Sequence, residues 1–242
     1  MKLYITGIVA LTLIGCGGGG DGDGGIVIPR GDGTTSTACF NRALYEVGTD
    51  VVEMISTSVN GVPRLNATER TVVEGIVTFE GQSDVRQMRL YDDTDENLNY
   101  VVLDESNLTL TTLGQFFDGN NLVYKPSGIE ISYGLESGES ITQPTISVFT
   151  DGVQTSTLDL KQTYVKRETV TVAAGTFETC LVTLEFTLVE NGEETKTTFT
   201  QNIAVGNGLT VREAYTGISE NGTTLNLVDE LTSATINGVP VQ

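Results

Sequence analysis

The chain has 242 residues, 13 basic and 32 acidic side chains, and a formal charge of −19. This balance argues against nucleic acid as a partner, because nucleic-acid binding needs a basic surface. The sequence contains no histidine, which removes the usual Ser-His-Asp and Cys-His nucleophile pairs and the usual zinc sites. Paired-carboxylate chemistry stays open, but only 7% of the residues are aromatic, so we expect no enzyme.

The chain starts with an apolar run from Leu3 to Ile14, which is too short to span a bilayer and has the length of a signal-peptide core. The string LIGC, ending at Cys16, resembles the lipobox of bacterial lipoproteins. The resemblance implies that residues 1–15 are a signal peptide and that Cys16 is acylated and anchors the protein to a membrane. The alternative is an ordinary cleaved signal peptide. Because Gly17, not Asp, follows the cysteine, we expect the outer membrane.

Residues 16–37 contain the lipidated cysteine and a stretch rich in glycine and aspartate, including GGGGDGDGG. Such a stretch cannot bury enough apolar surface to offset the entropy of ordering it. It predicts a tether with a root-mean-square span on the order of 25 Å.

Residues 38–242 are predicted to form a single antiparallel β domain, because apolar and polar residues alternate with the period of strands. Val182, Leu184 and Phe186, for example, share one face, while Thr183 and Glu185 share the other. Five Asx-Gly pairs indicate tight hairpin turns. They are Asn60-Gly61, Asp118-Gly119, Asp151-Gly152, Asn191-Gly192 and Asn221-Gly222. The segment TINGVP is similar to the earlier segment SVNGVP, but this similarity is too short to indicate a duplication.

The only segment that could pass for a helix is Arg42 to Ser56, so strands must bury their apolar faces on one another. Three arrangements remain open: a strongly curved, half-barrel-like sheet, a two-sheet sandwich, or a closed barrel. A curved sheet would leave a concave apolar surface suited to a lipid-like ligand. The residues expected to line it are Ile131, Tyr133, Leu184 and Phe186.

Two cysteines, Cys39 and Cys180, remain in the exported domain, where an oxidising compartment favours a disulfide between them. Closing a loop of about 140 residues would stabilise the fold by roughly 5 kcal/mol in the chain-entropy model. Near the second cysteine, Gly175 is predicted to form a tight turn that returns Phe177 to the core. Gly206-Asn207-Gly208 is predicted to form a second turn or bulge.

One acidic segment has some of the spacing of a calcium loop. Its oxygen-bearing residues are Asp93, Asp95, Asn97, Asn99 and Asp104. Leu98 stands where that loop needs glycine, and the flanking segments have the pattern of strands. We therefore predict an acidic hairpin loop without a metal, and we expect no cofactor.

The segments CFNRALYEVGT, starting at Cys39, and AGTFETC, ending at Cys180, look like motifs of an uncharacterised group of bacterial β-rich lipoproteins. This resemblance implies that Cys39 and Cys180 are the paired positions, and it implies no activity. More distantly, the chain is similar to the half-barrels of lipoprotein carriers.

These patterns favour a non-catalytic lipoprotein of the bacterial outer membrane that holds a hydrophobic ligand in a concave sheet. The alternative is a structural or interaction protein of the cell envelope, and a carboxylate-based hydrolase is less favoured. The expected partners are the membrane, through the lipid anchor, and either a lipid-like ligand or an envelope protein.

Overall fold

The computed structural model describes residues 34–64, 66–91, 96–218 and 224–241. Its helical segments are two short 3₁₀ helices, Ser36–Cys39 and Arg42–Tyr45. The strands are β1 Asp50–Val59, β2 Val62–Pro63, β3 Ala67–Phe79, β4 Gln82–Tyr91, β5 Glu96–Asp104, β6 Thr109–Phe117, β7 Asn120–Lys125, β8 Ile129–Ser132, β9 Ser140–Thr142, β10 Ile146–Thr150, β11 Val153–Val172, β12 Gly175–Glu190, β13 Glu193–Ala204, β14 Thr210–Ile218, β15 Thr224–Ile236 and β16 Val239–Pro240.

The sheet is antiparallel and closes on itself. Neighbouring strands follow chain order from β3 to β7 and from β10 to β15, with β7 beside β10 and β1 beside β3. The ring closes where β15 pairs with β1, from Ile236 opposite Val51 to Leu227 opposite Val59. The chain therefore forms a twelve-stranded barrel, which selects one of the three predicted arrangements in place of the open half-barrel and the sandwich.

Four of the five predicted Asx-Gly pairs form two-residue turns in which both residues have positive φ, as Asn60 (50°) and Gly61 (76°) do. This conformation matches the right-handed twist of the flanking strands. The fifth pair, Asn221-Gly222, lies outside the described residues. The sequence analysis did not predict the turns at Glu80-Gly81 and Asn237-Gly238, which have the same conformation.

Two of these turns fasten the seam between β1 and β15. At one end, the Asn237 backbone N–H donates to the Asp50 carbonyl at 2.7 Å, and the Asn237 Oδ1 accepts from the Asp50 N–H at 2.9 Å. At the other end, Asn60 makes the same pair of bonds with Asn226, at 2.7 and 2.9 Å. The similar segments SVNGVP and TINGVP thus contain the two turns that form hydrogen bonds across the β1–β15 seam.

Glutamine side chains continue the barrel wall where β8 faces β9 and β11. The Gln162 amide accepts from the Ser132 N–H and donates to the Ser132 carbonyl, both at 2.8 Å. Gln143 makes the same pair of bonds with the backbone of Glu130. These amides satisfy alternate backbone groups of β8 that would otherwise be left without partners.

One hydrophobic core joins the strands to the N-terminal segment. Folded structure begins before the predicted boundary at residue 38, because the Ser36 N–H donates to the Leu135 carbonyl at 2.9 Å and Thr35 forms a bridge with Glu136. The segment from Arg42 to Ser56, which could have passed for a helix, contains one short 3₁₀ helix, and its β-branched residues from Val51 onward form a strand.

Candidate functional site

The exposure of inward-facing side chains on β1 and β15 changes along the barrel axis. We call the end that carries the turn Asn60-Gly61 the upper end, and the opposite end the lower end. The inward-facing residues of β1 pass from Val51, which is 2% exposed, to Thr57, which is partly exposed. On β15 the same gradient runs from Leu231, 2% exposed, to Leu227, partly exposed. On these two strands the inward-facing side chains are therefore more exposed at the upper end than at the lower end.

The N-terminal segment closes the lower end. Cys39 and Cys180 form a disulfide with a Cα–Cα distance of 6.2 Å, as the cysteine count predicts. The Phe40 ring packs against Tyr133, with centroids 5.2 Å apart. The Ala38 carbonyl accepts from the Gly206 N–H at 2.8 Å, in the turn predicted at this glycine. The lower end is thus covalently pinned and filled by side chains.

A row of polar side chains crosses four adjacent strands in the upper half of the interior. Gln201 on β13 lies opposite Glu213 on β14, which lies opposite Asp229 on β15, which lies opposite Thr57 on β1. The Gln201 Nε2 donates to Glu213, and the Thr57 hydroxyl donates to Asp229 at 2.5 Å. We call these four residues the polar row.

Two more inward-facing acids lie beside the polar row. Glu53 on β1 is 5% exposed and lies opposite Glu69 on β3. Together with Glu213 and Asp229 they form what we call the acidic cluster. The cluster gathers carboxyl groups from four strands on one wall of the barrel.

Burial disfavours the charged form of these carboxyls. Desolvation, reinforced by the charge of Glu69, raises the pKa of Glu53 to about 8. Desolvation also raises the pKa of Glu213 to about 7; the Gln201 hydrogen bond opposes this shift, while Asp229 and Glu69 add to it. Burial raises the pKa of Asp229 as well, against a hydrogen bond from Thr57.

The polar row contains an acceptor that lacks a donor. Gln201 is 1% exposed and uses its Nε2 on Glu213, yet its Oε1 has no hydrogen-bond partner in the part of the chain that the structure describes. A second amide oxygen inside the barrel, Oδ1 of Asn97, is also buried without a hydrogen-bond partner among the described residues. A buried acceptor without a partner costs free energy.

An apolar row lies directly above the polar row, towards the upper end. Phe199 on β13 lies opposite Tyr215 on β14, which lies opposite Leu227 on β15. The rings of Phe199 and Tyr215 meet edge to face with centroids 5.2 Å apart. Phe199 and Tyr215 are 4% and 7% exposed and belong to the hydrophobic core, whereas Leu227 is partly exposed.

The residues predicted to line a concave lipid site lie elsewhere. Ile131, Tyr133, Leu184 and Phe186 are between 1% and 5% exposed and belong to the packed hydrophobic core. The expected apolar concavity is therefore corrected to a filled core, because closure of the sheet brings the opposing apolar faces into contact.

The candidate calcium residues do not converge in the described structure. Asn97 and Asn99 face the barrel interior on β5, where Asn99 accepts from Gln115 at 2.7 Å. Asp104, at the far end of the same strand, binds Ser106 and Asn107 in a turn, and these bonds lower its pKa to about 2. Across the described ranges, no group of three His, Cys, Asp or Glu side chains is arranged to hold a metal ion.

Several predicted residues fall outside the described structure. These are Asp93, Asp95, the lipidation site Cys16 and the glycine-rich tether before residue 34. Within the described ranges, no helix has the length and apolar character needed to cross a bilayer.

The sequence analysis missed the acidic cluster, although a signal was present. Glu53 occupies the same phase as Val51 and Ile55 in the alternation of β1, and Asp229 occupies the phase of Leu227. An acid at an apolar phase of an otherwise regular strand indicates a carboxyl that faces the interior.

Comparisons with known proteins give distant likenesses in fold. No family model and no curated protein matches the sequence. A candidate lipoprotein from Parabacteroides distasonis is 13% identical with a TM-score of 0.43, covering 84% of this chain and all of that one. A candidate exported protein with a YmcC-like fold from Bacteroides fragilis is 16% identical with a TM-score of 0.41, covering 78% and 96%. The hypothetical lipoprotein YmcC from Escherichia coli is 14% identical with a TM-score of 0.35, covering 79% and 89%.

Proposed function

We propose that the chain is a non-catalytic lipoprotein of the bacterial envelope that receives a small ligand in the upper half of its barrel. The observation that carries this proposal is the exposure gradient along β1 and β15, where inward-facing side chains are buried below and partly exposed above. A barrel whose only task was structural would gain stability by filling both halves with apolar side chains.

The position of the N-terminus supports an anchored receptor. The described chain enters at the lower end, where Thr34 accepts from Ser137 and Cys39 is pinned to Cys180. A lipid on Cys16 would therefore attach to the closed end. The opening would then lie at the opposite end of the barrel from the anchor.

Anchoring is tested by the variant Cys16→Ser. We expect the protein to move from the outer-membrane fraction to the soluble fraction, or to accumulate unprocessed, because the acylation site is lost. Fractionation followed by immunoblotting measures this. A variant that still sediments with outer membranes would contradict the anchor.

Ligand binding is tested by native mass spectrometry of the protein extracted from its own envelope. We expect an adduct of constant mass that is lost on denaturation. The same preparation of a variant with a blocked interior, Leu227→Trp, should lack the adduct. Repeated spectra that contain only the bare polypeptide would contradict the proposed function and favour an envelope interaction protein.

Carboxylate-based hydrolysis is the second candidate, because Glu213 has a raised pKa of about 7 beside the carboxyl of Asp229. The two residues lie side by side on one wall, whereas glycosidases place their carboxyls on either side of the scissile bond. Burial also raises the pKa of Asp229, which does not favour an ionised nucleophile. Turnover of chromogenic glycosides that disappears in Glu213→Gln would establish hydrolysis over simple binding.

A further inference from the structure

The turns at the two ends of the barrel differ in charge. Neighbouring strands of the ring are antiparallel, so the turns that join them alternate between the upper and the lower end. At the upper end, the turns that follow β6, β10 and β12 carry exposed acids. These acids are Asp118, Asp151, Glu190 and Glu193. The upper end therefore presents several negative charges to the solvent.

Three neighbouring segments at the lower end carry no charged side chain. They are the β11–β12 turn at 173–174, the β13–β14 turn at 205–209 and the C-terminal segment at 237–241. Two of them meet beside β15, where the Ala174 N–H donates to the Leu231 carbonyl at 3.1 Å. Three residues further along β15, the Ala234 carbonyl accepts from the Val241 N–H at 3.0 Å. We call these three segments the lower rim.

Apolar side chains are exposed at the lower end. Val239, in the lower rim, is 61% exposed and is followed by the exposed Pro240. Val47, which precedes β1 at the same end, is 56% exposed. The acids of this end, such as Glu105 and Glu136, lie outside the lower rim, in the loops after β5 and β8. The lower rim is thus an uncharged surface with uncovered apolar side chains.

The chain enters the barrel at this same end. The Thr34 carbonyl accepts from the Ser137 N–H at 2.9 Å, in the loop after β8. Residues 16–33 lie between the predicted acylation site Cys16 and this point, and a coil of that length spans on the order of 25 Å. Such tethering gives the barrel an effective concentration on the order of millimolar at the membrane surface, so a weak contact is enough.

We infer that the lower rim rests on the surface of the lipid bilayer, with Val239 and Pro240 among the lipid headgroups and the acidic upper end pointing away. This inference rests on the proposed anchoring and adds a contact surface and an orientation to it. Anionic headgroups repel the acids of the upper end over a distance of about 10 Å, the Debye length in dilute salt. The lower rim carries no charge to be repelled, and its exposed apolar side chains gain free energy by leaving water.

Three valines in matched positions test the inference. Val239, Val62 and Val153 each follow the glycine of a two-residue turn, and they are 61%, 57% and 67% exposed. Val239 lies at the lower end and the other two lie at the upper end. Each is replaced by cysteine in the full-length lipoprotein. With Cys39 bonded to Cys180 and Cys16 acylated, the introduced thiol is the single free one and takes the fluorophore NBD.

The labelled lipoproteins are inserted into phosphatidylcholine vesicles that contain a lipid with a nitroxide on its headgroup. We expect the NBD emission at position 239 to shift to the blue and to be quenched by the nitroxide, because this label lies among the headgroups. The labels at positions 62 and 153 should show neither change, because they stand at the far end of the barrel.

A charge placed in the lower rim should weaken the contact. With the NBD label at the exposed position of Ala173→Cys, we expect Val239→Glu to reduce the quenching by the nitroxide lipid. A carboxylate at position 239 would have to leave water to approach the headgroups. Val153→Glu is the matched control at the upper end and should leave the quenching at position 173 unchanged.

The other outcomes overturn the inference. If the protein floats with the vesicles but the label at position 239 is not quenched, or the upper labels are quenched instead, the anchor stands and the lower rim does not contact lipid. A protein that does not float with the vesicles would contradict the anchor as well. A blue shift at position 239 without quenching by lipid would mean that a second copy of this chain covers the lower rim.

Discussion

Buried acids make the stability of this protein depend on pH at the level of single residues. Glu53 has a pKa of about 8 in the folded state, above its ordinary value of 4.5, so folding favours its protonated form. Its contribution to stability is fully present below about pH 4.5 and is lost as pH rises through 8. Glu213 follows the same direction, with a pKa of about 7.

We therefore predict that the free energy of unfolding falls between about pH 5 and pH 9, and that Glu53→Gln reduces this fall. The amide cannot ionise, so the cost of burying a charge at position 53 disappears. Urea unfolding at a series of pH values measures the slope. The variant Glu190→Gln, at an exposed turn, controls for net charge and should keep the wild-type slope. An unchanged slope in Glu53→Gln would show that Glu53 does not titrate in this range.

Single residues also show where sequence reasoning stops. The alternation around Leu184 predicted its burial, because neighbours two residues apart share a face of a strand. The same rule gives Glu53 an inward phase, but the signal was missed because the segment from Arg42 to Ser56 could pass for a helix and was not predicted as a strand. Contact between Glu213 and Gln201 depends on the register of two strands, which no local pattern specifies.

Among the elements, the turns do more than reverse the chain. Asn60 and Asn237 each bond to the strand on the far side of the β1–β15 seam, and Asp151 makes the equivalent pair of bonds with Asn121 between β7 and β10. All three turns stand where neighbouring strands of the barrel are not consecutive in the chain. No short hairpin connects such strands, so pairing them has a higher entropy cost of loop closure. The side chains of these turns add hydrogen bonds at those pairings.

We predict that Asn237→Ala destabilises the protein by about 1 kcal/mol more than Asn191→Ala does. Both asparagines have positive φ, near 50°, so both variants carry a similar backbone cost. Only Asn237 also loses its side-chain bond to the Asp50 N–H at the seam. Urea unfolding of the two variants measures the difference, and equal destabilisation would mean that the seam bond contributes nothing.

The hairpins themselves were largely predictable from the sequence, whereas closure of the barrel was not. Asn191-Gly192 and Asp118-Gly119 define their turns because few other residues adopt positive φ without strain. Glu80-Gly81 was missed because glutamate is unusual in that conformation. Pairing of β15 with β1 brings Ile236 to Val51 across most of the chain, and nothing near either residue specifies it.

At the scale of the whole molecule, the barrel has one pinned end and one end where β1 and β15 carry partly exposed interior residues. The disulfide between Cys39 and Cys180 joins residues 141 positions apart and holds the N-terminal segment in the lower end. The upper end keeps partly exposed side chains such as Leu227 and Asp229. Stability is thus concentrated where the chain enters, and the acidic cluster lies towards the less filled half.

We predict that replacing both cysteines, Cys39→Ala with Cys180→Ala, lowers the free energy of unfolding by about 2–5 kcal/mol, because the cross-link no longer restricts the unfolded chain. Urea unfolding measures the loss. Wild-type protein unfolded in the presence of a reductant is the control and should lose a similar amount. A variant as stable as the oxidised wild type would show that the lower end does not depend on the disulfide.

The central claim, a barrel open above and closed below, is tested most directly by two cysteine probes on one face of β15. Leu227→Cys and Leu231→Cys place a thiol in the upper and lower interior, four positions apart on the same strand. In the folded, oxidised protein, a positively charged methanethiosulfonate reagent should label position 227 rapidly and leave position 231 unlabelled until the protein is unfolded. Equal protection of both thiols would contradict the open upper end.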